Sequence, residues 1–163
     1  MLIRSISGVR GLVKTHLKPE ESVVYARAMH KYLPDGVIIV GRDSRPSGDL
    51  ILESMCEQLV QLGRTVIHCG IVPTPTVQFM VHNTEAVGGF IVTASHNPIE
   101  WNGLKFVRED STFFHPEDCR NLFEIVDRAY LLGEQSIIAQ GTPSELLKSS
   151  KAIDSYFGRE YNA

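Results

Sequence analysis

The chain has no apolar run long enough to cross a bilayer, and its opening Met1-Leu-Ile-Arg4 is followed by polar residues rather than the apolar core of a signal peptide. It has little cysteine. Cys56, Cys69 and Cys119 are odd in number, scattered and without CxxC spacing, which excludes a disulfide framework and a cysteine–zinc site and points to a reduced, cytoplasmic protein. His16, His30, His68, His82 and His115 lack HxH or HExxH spacing, so core or surface is expected for them rather than a metal. A strong charge of either sign is missing as well. The formal net charge of −3, with 21% charged residues, argues against a nucleic-acid coat and leaves a local basic pocket as the remaining electrostatic option. Internal repeats and low-complexity tracts are absent too. What is present is 43% hydrophobic residues, 13 Gly and 8 Pro in 163 residues, the profile of one globular domain with a sizeable core.

The hydrophobic period switches repeatedly along the chain. Val37-Ile-Ile-Val40, Arg64 to Cys69 and Gly88 to Val92 are short apolar runs flanked by glycine, as strands buried on both faces require. Leu104 to Val107 reads as a strand nearer an edge because of Lys105, and Leu2 to Ile6 as a fifth strand. Helices are expected between them. Pro19 to Leu33 has Val23, Val24, Ala26, Ala28 and Tyr32 on one face, with Pro19 at its first position and Glu20 and Glu21 against the dipole. Pro46 to Leu62 has the stripe Leu50, Ile51, Met55, Leu59 and Leu62, ended by Gly63. Pro75 to His82 is a shorter helix, and Pro116 to Leu132 buries Leu122, Ile125, Val126 and Ala129 before Gly133. This alternation predicts a three-layer α/β/α domain, a mainly parallel mixed sheet with helices on both faces and ligands beyond the carboxyl ends of its strands.

The tail differs. Thr142-Pro-Ser-Glu145 is a capping box that starts a helix, whereas Lys148-Ser-Ser-Lys151 is polar and Tyr156, Phe157 and Tyr161 need something to pack on. The expected organisation is a domain over 1–140 and, over 141–163, a linker or helix leading to a further domain.

Four polar segments fall at strand ends. Ser5-Ile-Ser-Gly-Val-Arg-Gly11 reads as a glycine loop wrapping an anion beside Arg10, or as a tight turn with a surface arginine. Gly41-Arg-Asp-Ser-Arg-Pro-Ser-Gly48 precedes a helix, whose free N–H groups with Arg42 and Arg45 suit an anion; equally, Asp43 pairs with Arg42 or Arg45 in a plain connection. It lacks the P-loop lysine and glycine spacing. Thr93-Ala-Ser-His-Asn-Pro98 puts a hydroxyl beside His96 and Asn97 at a strand end, where a nucleophile or a phosphoryl-carrying serine would stand, or an Asn-Pro turn capped by Ser95. It does not match G-x-S-x-G. In Trp101-Asn-Gly-Leu-Lys105, Asn102-Gly103 signals a turn that delivers Lys105 to the next strand as a solvated cation or as a general acid or base.

In order and spacing, Ser7-Gly-Val-Arg-Gly11, Gly41-Arg-Asp-Ser-Arg45, Thr93-Ala-Ser-His-Asn-Pro98 and Asn102-Gly-Leu-Lys105 resemble the first domain of the α-D-phosphohexomutase family, which includes phosphoglucomutase, phosphomannomutase and phosphoglucosamine mutase; the resemblance spans residues 2 to 130. It implies that Ser95 is a phosphoserine, that Lys105 is the general acid/base and that Arg10 supports the phosphoryl group. It also implies that His96 and Asn97 shape the loop and that Arg42 adds positive potential, with Arg10, Arg42, Asn97 and Lys105 contacting the substrate phosphate. The substrate implied is a hexose phosphate, turned over through a hexose 1,6-bisphosphate that serves as activator and intermediate. Mg2+ is the implied cofactor. Ser95, through its phosphate, is the one ligand to it on this chain, because the D-G-D-x-D-R segment that carries three aspartates is absent. The chain is therefore expected to be domain I of a longer mutase, inactive by itself, with the remaining mutase domains as partners and with neither nucleic acid nor membrane. Two rivals remain: a stand-alone phosphosugar-binding module without turnover, and a serine hydrolase.

Overall fold

The computed structural model describes residues 2–132, 137–141, 143–146 and 148–149. In chain order its elements are β1 (Ile3–Ser5), β2 (Gly8–Leu12), α1 (Pro19–Tyr32), β3 (Val37–Arg42), α2 (Gly48–Gln61), β4 (Val66–Ile71), α3 (Thr74–His82), β5 (Ala86–Val92), β6 (Trp101–Arg108), α4 (Pro116–Val126), β7 (Ala129–Leu132), β8 (Ile137–Gly141) and α5 (Pro143–Leu146). The chain divides into two compact units, Met1–Leu122 and Phe123–Ala163, and α4 runs across the division.

The first unit is built on one mixed sheet of order β1-β2-β6-β5-β3-β4. β3 pairs in parallel with β4 and β5, while β1–β2, β2–β6 and β5–β6 are antiparallel. The α/β/α class is the one expected from the sequence. The antiparallel share is larger than strand–helix alternation implies, because β1–β2 and β5–β6 are joined by short reversals that need no crossover helix. β6 is an interior strand rather than a near-edge one, since β2 pairs along its far side.

Alternation along the central strands divides the core. Phe106, opposite Phe90, stacks with Tyr25 of α1, so Phe90 and Phe106 belong to the face covered by α1 and α2. Ile39, Ile91 and Val107 belong to the other face, where they cluster with Val77 and Val81 of α3. Phe90 is fully buried, and truncating it to Ala would cost about 3–5 kcal/mol. The buried residues of α1 are Ser22, Tyr25, Ala26, Ala28 and Met29. Ala26 and Ala28 were expected; the helical spacing from Ser22 through Tyr25 to Met29 sets the inward stripe and leaves Val24 exposed. In α2, Ile51, Met55 and Leu59 are buried as expected and Leu52 joins them, but Leu50 is 63% exposed. α2 starts at Gly48 rather than Pro46, and Gly63, at φ +84°, ends it with a left-handed residue that favours glycine.

β4 begins at Val66 because Arg64 has another task. Its nearly buried guanidinium donates to the carbonyls of His30 (2.6 Å) and Leu33 (2.8 Å), closing the carboxyl end of α1. α4 stops at Val126 instead of reaching Leu132, and the chain continues as β7, paired antiparallel with β8. Ala129-Tyr-Leu-Leu132 is a four-residue apolar run that periodicity cannot divide between helix and strand. α5 begins at the expected Pro143. Gly133, Tyr156, Phe157 and Tyr161 lie outside the described residues. Among those described, no helix is long and apolar enough to cross a membrane.

Candidate active site

The chain leaves β5 at Val92 and turns back into β6 through the segment that carries Ser95. The turn is pinned at its base, where Thr93 N–H donates to Gly103 O at 2.9 Å. At its tip Ser95 is exposed and has φ +57°, in the left-handed region that a side chain disfavours. Both peptide groups of Ser95 are held. Its N–H donates to Thr93 Oγ (3.0 Å), and Thr93 Oγ–H donates in turn to Asp43 Oδ2 (2.6 Å). Its carbonyl accepts from Arg45 Nη2 at 2.9 Å.

Arg45 spends its donors on this loop. Nη2 also reaches Asn97 O (2.6 Å), and Nη1 reaches Pro98 O (2.8 Å) and Trp101 O (3.2 Å). Nε lies 3.1 Å from Asp43 Oδ2, and Asp43 Oδ1 accepts the N–H of Arg45 at 3.0 Å. Of the pairings left open by the sequence, Asp43 takes Arg45. Arg42 turns to the first turn of α2, with Nη2 at 2.7 Å from Asp49 Oδ1, and Nη1 donates to the Asp43 carbonyl at 3.2 Å. Arg45, expected with Arg42 beside an anion, faces loop carbonyls instead, and Asp43 and Thr93 were not among the expected site residues. The signal was the Asp43-x-Arg45 spacing, which reads as local pairing until the fold brings the loop carbonyls to it.

Arg10 is not on a loop. Gly8 to Leu12 is β2, and only Ile6 and Ser7 make the reversal from β1. Gly8 has φ +96°, and a Cβ there would stand 2.0 Å from Leu104 O, so the reversal needs glycine. Arg10 lies opposite Gly103, and its Nη1 donates to Asn97 Oδ1 at 3.3 Å. Asn102 and Gly103 do not form the expected turn; they lie inside β6. Asn102 is fully buried, donating from Nδ2 to Ser47 Oγ (3.0 Å) and accepting the N–H of Gly103 at Oδ1 (2.8 Å), so its amide is satisfied at both ends.

The pleat sets Arg10, Gly103 and Lys105 on one face of the β2–β6 pair. Lys105 Nζ stands 5.3 Å from the ring centre of Phe113, within cation–π range. It lines a cavity of about 210 Å³ together with Ser7, Gly8, Phe113, Phe114 and Cys119. Ser95 and Asn97 line a separate, more open cleft of about 390 Å³ with Asp43, Ser44, Arg45 and Ile99. The fold thus ties Arg10 to Asn97 of the serine loop, leaves His96 exposed next to Ser95 in the chain, and places Lys105 in a separate cavity.

Residues 2–131 match the family model for phosphoglucomutase/phosphomannomutase, alpha/beta/alpha domain I. The phosphoglucosamine mutase of Acaryochloris marina is 40% identical over 114 residues, covering 67% of this chain and 25% of the relative. That of Methanococcus aeolicus is 37% identical over 119 residues, covering 73% of this chain and 25% of the relative. The chain therefore spans a quarter of the length of these curated relatives, 25% in each case. Among solved structures, a Thermus thermophilus protein provisionally assigned as a phosphomannomutase superposes with a TM-score of 0.73 at 28% identity, covering 77% of this chain and 30% of that one.

Proposed function

The chain belongs to the phosphoglucomutase/phosphomannomutase family, as its alpha/beta/alpha domain I, and from that we propose that Ser95 is the phosphoryl carrier of a hexose-phosphate mutase. Phosphorylated Ser95 gives its phosphoryl group to a free hydroxyl of a hexose monophosphate. The Oγ–P bond breaks, the sugar O–P bond forms, the hydroxyl proton passes to a base, and a hexose 1,6-bisphosphate results. The bisphosphate reorients and returns its other phosphoryl group to Ser95 Oγ, leaving the isomeric monophosphate.

Phosphoryl transfer is mostly positioning and charge stabilisation. Arg10 supports the phosphoryl oxygens, Arg42 adds positive potential, His96 and Asn97 shape the loop, and Lys105 moves the proton. The observation that carries the reading is Ser95 itself: an exposed hydroxyl at the end of a central strand, on a backbone fixed at φ +57° from both sides. Identities of 37% and 40% to phosphoglucosamine mutases favour an amino-hexose phosphate as the substrate. Among the described residues no group of three or more His, Cys, Asp or Glu side chains could hold a metal ion. These residues do not fit a Mg2+ site, a phosphate on Ser95 being the ligand the chain would contribute.

A chimera tests the reading. Residues 2–131 replace the matching segment of the Methanococcus aeolicus phosphoglucosamine mutase, and folding is verified by circular dichroism. Turnover of glucosamine phosphate primed with the 1,6-bisphosphate is expected, with the phosphoryl group located on Ser95 by peptide mass spectrometry. Ser95→Ala should lower turnover by about three orders of magnitude or more. A folded chimera without turnover, or a Ser95→Ala variant within about tenfold of its parent, overturns the proposal.

A further inference from the structure

We infer that Arg45 is the positioning residue of the serine loop, setting the backbone of Ser95 through carbonyl contacts and contacting no phosphate itself. The inference rests on the reading of Ser95 as the phosphoryl carrier. Two arginines preceding a helix suggest an anion site, but the donors of Arg45 go elsewhere. Four carbonyls, those of Ser95, Asn97, Pro98 and Trp101, converge on its two terminal nitrogens at 2.6–3.2 Å. Its Nε is held by Asp43, and its side chain is 12% exposed. A guanidinium whose three nitrogens are all engaged has little left for a ligand. Lysine could not substitute for it, because one ammonium cannot span carbonyls on both sides of a turn as a planar fork does.

The arrangement also explains how Ser95 keeps a left-handed backbone. Asp43 Oδ2 is the shared anchor: it receives Arg45 Nε (3.1 Å) and Thr93 Oγ (2.6 Å). Through Arg45 it fixes the Ser95 carbonyl, and through Thr93 it fixes the Ser95 N–H. One carboxylate from the β3–α2 connection thus controls both peptide groups of a residue 52 positions on, two beyond the 50 that separate it from Thr93. Left-handed backbone at a residue with a side chain persists where the surroundings over-determine it, and these bonds do so. A displacement of the reacting oxygen by about 1 Å is enough to cost about a hundredfold in rate.

The test has one arm without turnover and one with it. In the 163-residue chain, Arg45→Met should speed hydrogen exchange at the Ser95 and Asn97 amides by about tenfold or more while the amides of β5 and β6 stay protected. In the chimera, the same substitution should lower kcat by about a hundredfold with KM within about threefold, Arg45→Lys should not restore it, and added guanidinium ion should restore part of it. If Arg45→Met fails to fold, Thr93→Val, which removes the acceptor of the Ser95 N–H together with the donor to Asp43 Oδ2, takes its place with the same expected exchange. An Arg45→Met chimera with kcat within about twofold of its parent, while Ser95→Ala is inactive, overturns the positioning role and leaves the mutase reading intact. A rise in KM at constant kcat makes Arg45 a substrate ligand and overturns it too. If Ser95→Ala retains turnover, the mutase reading fails instead, and loop exchange alone then decides whether Arg45 sets the turn.

Discussion

Arg10 Nη1 donates to Asn97 Oδ1 across 3.3 Å, tying β2 to the serine loop over 87 residues of sequence. A carboxylate in place of the Asn97 amide would offset the charge of the Arg10 guanidinium, which under the proposed function supports the phosphoryl group. In the chimera, Asn97→Asp should lower kcat/KM by about ten- to a hundredfold, and Asn97→Ala by clearly less. Steady-state kinetics at several ionic strengths check this. Equal losses in the two variants would remove the charge argument and leave only loop shape.

The base of the site is set by two neighbours in β6. A Cβ at Gly103 would lie 2.6 Å from Val9 O in the paired strand β2 and 2.7 Å from Thr93 O at the start of the serine loop, both backbone atoms. Gly103→Ala must push strands apart, and about 1–3 kcal/mol of stability should be lost. Asn102→Ala strips Ser47 Oγ and Gly103 N–H of their partner inside the fold, for about 1–3 kcal/mol as well. Urea melts should show lower midpoints at unchanged slope. A midpoint for Gly103→Ala equal to that of the parent would contradict the close approach.

Strand and helix runs with one dominant period were legible from sequence. Val37 to Val40 becomes the opening of β3, and Pro19 and Gly63 mark helix ends as their backbone preferences require. What was hidden depends on contacts between distant segments. Asn102-Gly103 has the local preference of a turn, yet a satisfied buried amide and a tight backbone approach place it mid-strand. Nor does the order of residues show that Arg45 faces carbonyls and not an anion, since those carbonyls belong to residues 50 to 56 positions away. Ser95 stood out because an exposed hydroxyl beside His96-Asn97-Pro98, after an apolar run, is unusual in itself.

The thiols should be sluggish. Burial, helped by the charges of Glu53 and Glu57, pushes Cys56 up to about 11. Burial also raises Cys69, and burial with the charge of Asp118 raises Cys119 against an opposing hydrogen bond from the Gly8 backbone. The thiolate is the reactive form, so Cys56 in the native chain should react with an aromatic disulfide at neutral pH about a hundredfold or more below the rate of free cysteine. All 3 thiols should react promptly in denaturant. Rapid labelling of Cys56 in the native chain, read by mass spectrometry, would contradict its burial.

A polar cluster between α1, β6 and α4 gives stability a pH dependence at both extremes. Tyr32 donates to Asp118 Oδ1 at 2.6 Å, while Arg108 Nη1 (2.9 Å) and the His115 N–H (2.8 Å) donate to Oδ2. Burial works against ionisation of Asp118, but these donors and the charge of Arg108 outweigh it and hold the carboxyl below its usual value. Its contribution is therefore complete above the unfolded value of about 3.9 and is lost as pH falls through the lower folded value. Tyr32 behaves in the opposite sense. Burial, then its hydrogen bond to Asp118 and the charge there, push it up to about 12, so its contribution is complete below the unfolded value of about 10 and fades as pH rises through the folded one. Asp110, held below its usual value first by its hydrogen bonds with Thr112, and His115 also face Arg108, so the single variants are needed to separate the groups. Asp118→Asn should lose about 1.5–3 kcal/mol near neutrality and show a shallower acid decline, and Tyr32→Phe should flatten the decline above about pH 10. Urea midpoints across the pH range decide it: a Tyr32→Phe curve parallel to that of the parent in alkali would mean that the phenol carries none of the alkaline loss.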